Sequence, residues 1–209
     1  MIMNAIYGKK LGMTRVFNEA GDSVGATVVK IDPATVVRVK TEKTDGYNAV
    51  VIGFGPARPK LVNKPSKGQF GKAGVEVKRH LREIRFNSGE MPEVGATFTA
   101  DIFKPGEKIH VSAVSRGLGF QGTVKRHGFA GGPKTHGQSD RLRAPGSLGQ
   151  SSYPSRVFKG LRMAGRMGNE KVTVKNLRVV AVESEESLVL VSGVIPGHKN
   201  SIVYLRKAR

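Results

Sequence analysis

Gly117-Leu-Gly-Phe-Gln-Gly122 has the G-x-G-x-x-G spacing of a dinucleotide-binding loop, follows a strand expected to end near Val114, and precedes Asp140 by 18 residues. Such a loop holds a pyrophosphate only where a helix opens at its last glycine and a second strand carries the acid to the ribose. Between them, Lys134-Thr-His-Gly-Gln-Ser-Asp140 contains no apolar run from which that strand could be built. Val124 extends the match to a kinase glycine loop, yet the chain has neither H-R-D nor D-F-G, hence neither the base nor the magnesium ligand. Gly119-Phe-Gln-Gly122 and Gly165-Arg-Met-Gly168 also fit G-x-x-G, which clamps nucleotides where it joins two helices, and no helix is evident at either place.

Other chemistries lack their parts. Cysteine is absent, so thiol nucleophiles, disulfides and cysteine-based zinc sites are excluded. His80, His110, His127, His136 and His198 include no H-E-x-x-H pair. Ser147 and Ser155 sit in turn-like sequence, outside any G-x-S-x-G, in a region almost without acids to orient a base. No metal, cofactor or catalytic residue is expected. What remains is a set of cations, glycines and flat side chains: Lys125-Arg-His-Gly-Phe129, Lys134, His136, Arg141-Leu-Arg143 and Arg156-Val-Phe-Lys159. Arginine and lysine neutralise phosphates, while phenylalanine, tyrosine, histidine and arginine planes stack on exposed bases.

The elements that must hold these residues follow from composition and pattern. The chain has 209 residues, 35 Lys and Arg against 16 Asp and Glu, a formal net charge of +19, and 38% hydrophobic residues. Its length favours one large domain or one domain with an insertion. A charge so far from zero opposes compaction through self-repulsion and is relieved by a polyanion. The excess is local: residues 112–168 hold 10 basic residues, one acid (Asp140) and 12 of the 27 glycines, whereas 1–50, 51–111 and 169–209 hold 7 to 5, 11 to 6 and 7 to 4. No apolar run reaches membrane-spanning length, and Met1 to Met13 lacks the apolar stretch of a secretory signal, so an unsecreted, cytoplasmic protein is expected.

Outside the basic block, β-branched residues cluster in short runs bounded by Gly, Pro, Asn and Asp. Strands are expected at 13–17, 25–31, 35–41, 47–54, 96–103, 108–114, 171–183, 187–194 and 201–206. Within 171–183 the apolar alternation changes phase once near Asn176, as at a bulge. A short helix is expected at Ser66 to Ala73, capped by Gly74. Many short strands with turn signals indicate a small β-barrel. From 117 to 168 no hydrophobic period persists, and this segment, too rich in apolar residues for a plain linker, reads as an arm ordered by RNA. A flexible solvated loop is the bland alternative.

These residues also resemble a family, the universal ribosomal protein L-three of the large subunit. Phe103, Ala113, Ser115, Gly117, Gly119, Gly122 and Arg126 stand at its signature positions, with departures at His110, usually Asp or Asn, and at Leu118, usually basic. The match extends through Gly8-Lys-Lys-Leu-Gly-Met-Thr14, Asp45-Gly-Tyr47, Asn63-Lys-Pro65, Lys72-Ala-Gly74, Pro145-Gly-Ser-Leu-Gly-Gln150, Val157-Phe-Lys-Gly160, Met163-Ala-Gly165 and Met167-Gly168. The resemblance implies a mainly β fold, a six-stranded translation-protein barrel (1–116 and 169–209, with an insertion at about 55–95), carrying an rRNA-binding arm at 117–168.

It further implies a structural, non-catalytic role. The protein would be a primary binder near the 3′ end of the large-subunit rRNA, nucleating assembly beside other large-subunit proteins and reaching toward the peptidyl-transferase centre. Gln150 would be a methylation site for a glutamine methyltransferase. The expected RNA-contacting residues are Lys9, Lys10, Arg15, Arg116, Lys125, Arg126, His127, Lys134, His136, Arg141, Arg143, Arg156, Lys159, Arg162 and Arg166. A free RNA chaperone or DNA-architectural protein is the competing reading, and a nucleotide-dependent enzyme acting at Gly117 to Gly122 the third.

Overall fold

The computed structural model describes residues 3–17, 21–86 and 91–208, so residues 87–90 of the expected insertion lie outside the described residues. The chain forms β1 (Ala5–Phe17), β2 (Ser23–Lys30), β3 (Ala34–Lys40), α1 (Glu42–Asp45), β4 (Ala49–Pro56), α2 (Lys64–Ala73), β5 (Lys78–Arg85) and β6 (Thr97–Phe98). It continues through β7 (Lys108–Val114), β8 (Gly119–Gln121), α3 (Thr123–His127), β9 (Gly165–Met167), β10 (Lys171–Glu183), β11 (Leu188–Ser192) and β12 (Ile202–Lys207). Two compact units result: Met1–Val114 with Lys171–Arg209, and Ser115–Glu170.

In the first unit six strands close into an irregular antiparallel barrel in the order β1-β12-β7-β10-β11-β2. Closure removes the free edges that an open sheet would expose. Its interior is built from inward-alternating residues, among them Ile6, Val29, Ile109, Val111, Val189, Val191, Val203 and Leu205, all fully buried. The barrel is uneven because the register slips three times, between Lys10 and Gly12, Val174 and Leu177, and Val179 and Ala181. The middle slip is the phase change seen near Asn176, which adopts a φ of 59° and donates its backbone N–H to His110 Nδ1 at 3.1 Å.

Strands β3 and β4 lie not in the barrel but in a four-stranded sheet, β5-β4-β3-β6. Val36, Val50, Ile52, Phe54 and Ile84 of this sheet join the barrel residues in one buried cluster. Tyr7 of β1 stacks on Phe54 at 5.1 Å between centroids and tilts against Tyr204 at 4.9 Å. Burial raises the pKa of both tyrosines, so both phenols stay protonated in this seam.

Three expectations required correction. Strand β1 begins eight residues before the expected Met13, because Gly8 belongs to the barrel wall: a Cβ there would lie 2.7 Å from Val29 Cγ1 and 2.9 Å from the Lys30 carbonyl oxygen. The expected strand at 96–103 pairs only at Thr97 and Phe98 before Ala100–Ile102 turns as a 3-10 helix. Strand β5 was unforeseen, since Lys78, Arg79, Arg82, Glu83 and Arg85 leave it only Ile84 fully buried. It is an edge strand, where charge is tolerated. The helix near Ser66 forms over Lys64–Ala73 and ends at Gly74 with a φ of 63°.

Lys10 points inward. It is 8% exposed, and its Nζ donates to the carbonyl oxygens of Ile195 at 2.8 Å and Gly197 at 3.2 Å. An ammonium so placed is a structural donor, which removes Lys10 from the side chains available to phosphate. Lys10→Met should therefore lower the unfolding free energy by about 1–3 kcal/mol, the usual cost of stripping buried acceptors of their donor. Urea denaturation followed by circular dichroism measures this, and an unchanged midpoint would contradict the assignment.

Candidate nucleic-acid interface

The second unit starts where β7 ends and finishes where β10 begins, at the paired residues Val114 and Lys171. Its base is a two-stranded ribbon in which Gly119, Phe120 and Gln121 oppose Met167, Arg166 and Gly165. Leu118 N–H donates to the Met167 carbonyl at 2.9 Å, and Asn169 N–H to that of Arg116 at 3.3 Å. The turn into Asn169 needs glycine at 168, whose φ is 75° and where a Cβ would stand 2.0 Å from the Arg116 carbonyl oxygen.

Helix α3 opens at Gly122 and closes on Gly128, whose φ of 74° lets the chain leave in the left-handed conformation. This helix corrects the expectation that none forms here; at five residues it was too short for any hydrophobic period to reveal it. Lys125, Arg126 and His127 occupy its last turn, where terminal carbonyls favour cations. Arg126 Nη1 donates to the Met163 carbonyl at 2.7 Å, and His127 Nε2 lies 3.1 Å from the same oxygen. The guanidinium crosses Gly165, where a Cβ would meet it at 2.8 Å. Arg126 and His127 thus tie the outgoing helix to the returning chain.

Beyond α3 the loops are built from glycine and cations. Gly132 N–H donates to the Leu142 carbonyl at 2.9 Å, and at Gly131 a Cβ would approach that oxygen to 2.3 Å. This contact draws Phe129, Gln138, Arg141, Ala144 and Pro145 around one open pocket. A second groups Gln150 with Leu148, Ser151, Arg156 and Val157, and the Arg156 guanidinium sits 5.3 Å from the Phe158 ring centroid.

Thr123 is the only buried residue of the entire unit. Phe120 is 78% and Tyr153 88% exposed, with Leu148, Val157, Phe158 and Leu161 also open. Arg116, Lys125, Lys134, His136, Arg141, Arg143, Arg156, Lys159, Arg162, Arg166 and Gln150 are exposed, whereas Arg126 and His127 are half-buried in the tie just described. None of the ion pairs among the described residues involves a cation of this unit. Lys9 and Arg15 are exposed on β1, in the other unit. Phe120 and Tyr153 were not among the expected contacts; their aromatic character within a glycine-rich basic stretch was the available signal. A surface of unpaired cations, bare backbone and open rings suits a polyanion with bases to stack upon it.

No group of three or more His, Asp or Glu residues positioned to hold a metal occurs among the described residues, and none of their helices is long and apolar enough to cross a membrane.

The chain is similar to known proteins over nearly its whole length. The family model described as ribosomal protein L3 matches residues 72–187. The large ribosomal subunit protein uL3 of Herpetosiphon aurantiacus is 48% identical over 207 residues, covering 99% of this chain and 97% of that protein. That of Acidothermus cellulolyticus is 48% identical over 206 residues, covering 99% and 93%. That of Chlorobaculum tepidum is 51% identical over 203 residues, covering 96% and 97%. With identity of this level sustained from barrel to basic loops, the chain belongs to the ribosomal protein L3 family.

Proposed function

We propose that the chain is a structural constituent of the large ribosomal subunit, binding large-subunit rRNA through Ser115–Glu170 and performing no chemical step. One observation carries this reading: a whole compact unit that buries a single residue while presenting open cations and rings cannot be ordered by a core of its own. RNA supplies the missing counter-surface. The relatives, large ribosomal subunit proteins, point the same way. In finer terms, the protein is a primary binder near the 3′ end of the large-subunit rRNA that nucleates assembly beside neighbouring ribosomal proteins in the cytoplasm. Its loops reach toward the peptidyl-transferase centre, and exposed Gln150 is a methylation site for a glutamine methyltransferase.

The test is Arg143→Ala in cells that assemble their subunits with this chain. Fewer complete large subunits and altered sensitivity to antibiotics bound at the peptidyl-transferase centre are expected. Peptide-bond formation by the fully assembled mutant subunits should stay within an order of magnitude of wild type. A loss of several orders with rRNA structure unchanged would make the loop catalytic and overturn the reading. Failure of the wild-type chain to co-sediment with large subunits would favour a free RNA chaperone instead.

A further inference from the structure

Residues 51–111 look only mildly basic, 11 to 6, but that charge is unevenly spread along the segment. From Pro56 to Arg85 there are nine basic residues and two acids, because Glu90, Glu93, Asp101 and Glu107 all lie beyond it. Both acids are already engaged: Glu76 with Lys78 at 2.7 Å, and Glu83 with Lys40 at 2.5 Å and, through Oε2, the Tyr47 hydroxyl at 2.8 Å. Each lysine partner holds its carboxyl below the usual range, so both acids remain ionised and paired. What this stretch presents outward is therefore almost wholly cationic.

The cations surround a groove. Chain between β4 and β5, including α2, encloses a cavity of about 750 Å³ with Leu61, Val62, Phe70 and Leu81 along its apolar side. Arg58, Lys78 and Arg79 line it, and exposed Lys60, Lys64 and Lys67 continue the charge along the neighbouring turn and helix. Leu61 is 79% exposed, although Phe70 beneath is fully buried. Asn63 and Ser66 add hydrogen-bonding groups on the same face of α2 as Phe70. Cations around an apolar trough satisfy both parts of a nucleotide strand, phosphates on the rim and a splayed sugar or base against the trough. An extended peptide would fit the trough but would need acids to meet this rim.

We propose that residues 56–85 form a second RNA-binding surface, in which exposed Arg58, Lys60, Lys64, Lys67 and Arg79 hold the phosphates of a segment of large-subunit RNA other than that bound by 115–170. This rests on the rRNA-binding reading above and adds to it a second point of attachment on the same chain. Once one surface is bound, the other sees its RNA at the raised local concentration that linkage creates.

Hydroxyl-radical footprinting of transcribed large-subunit RNA with the full chain tests it. The wild type should protect two separate RNA segments. The triple variant Arg58→Gln, Lys60→Gln, Arg79→Gln should lose one of them, with a log-affinity against log-salt slope shallower by about 2–3, given about 0.7–0.9 per phosphate contact. Arg141→Gln with Arg143→Gln and Arg156→Gln should lose the other. Should the first variant unfold by circular dichroism, Lys60→Gln, Lys64→Gln, Lys67→Gln, confined to exposed side chains, replaces it with the same expected loss. A folded groove variant that keeps every protection and the wild-type slope overturns the proposal. So does loss of a neighbouring protein from the subunit with the footprint intact, which would make the groove a peptide site. No protection by the wild type at all would count against the rRNA-binding reading itself, whereas protection lost only through the 141–156 variant would count against the groove alone.

Discussion

Between 50 and 200 mM salt, the affinity of the full chain for large-subunit RNA should fall by about 10²- to 10⁵-fold. Arg116, Lys125, Lys134, Arg141, Arg143, Arg156, Lys159, Arg162 and Arg166 are exposed and the segment contains one acid. If about six to nine of these cations displace condensed counterions, log affinity falls against log salt with a slope of about −4 to −8. The contrast between variants is sharper than the absolute value. Removing four charges, Arg141→Ala, Arg143→Ala, Arg156→Ala and Lys159→Ala, should make the slope shallower by about 3–4. Arg126→Ala should behave differently, because its guanidinium is held on Met163. It should weaken binding by loosening the unit, with little change of slope. Filter binding across a salt series measures all three chains, and a four-charge variant with the wild-type slope would show that these residues do not meet phosphate.

A single methyl group at residue 168 should do comparable harm by a different route. Gly168 has a φ of 75°, and a Cβ there would sit 2.0 Å from the Arg116 carbonyl oxygen and 3.3 Å from Gly117 Cα. The left-handed conformation costs an alanine about 1–2 kcal/mol. The collision adds to this, since a backbone carbonyl cannot turn aside as a flexible side chain can. Ser115–Glu170 buries only Thr123 and has no packing to resist the shift. Gly168→Ala should therefore open the ribbon of β8 and β9, seen as lost hydrogen-exchange protection of the Leu118 and Asn169 amides. Affinity for rRNA should drop by at least an order of magnitude, while the thermal transition of the barrel stays in place. Gly117→Ala is the control, as its Cβ would meet Asn169 Cβ at an ordinary 3.7 Å and its φ is not positive. Equal behaviour of the two variants would remove steric closure as the reason for glycine at 168.

Local signals were legible wherever one residue's neighbours in sequence decided its conformation. Strands β7 and β10 stand where β-branched runs place them, at Lys108–Val114 and Lys171–Glu183. Helix α2 ends at Gly74, where its expected cap places it, although it starts at Lys64, two residues before the expected Ser66. The cationic, glycine-rich character of 112–168 needed no coordinates at all, because net charge and missing periodicity are properties of the chain.

Partners distant in sequence were not legible. Nothing local distinguishes Thr35 to Thr41 as a strand of a separate sheet from a strand of the barrel, because pairing is settled by which edge is left open once the other strands have met. Strand β5 hid behind five charges that only an edge position accommodates. Lys9 and Lys10 read alike, yet strand alternation turns one outward and the other toward carbonyls 185 and 187 residues away. By itself the sequence determined that this is a β-rich polycation with a partner to match. Tertiary structure decided which cations remain outside to meet that partner, because burial depends on contacts between segments that no short window contains.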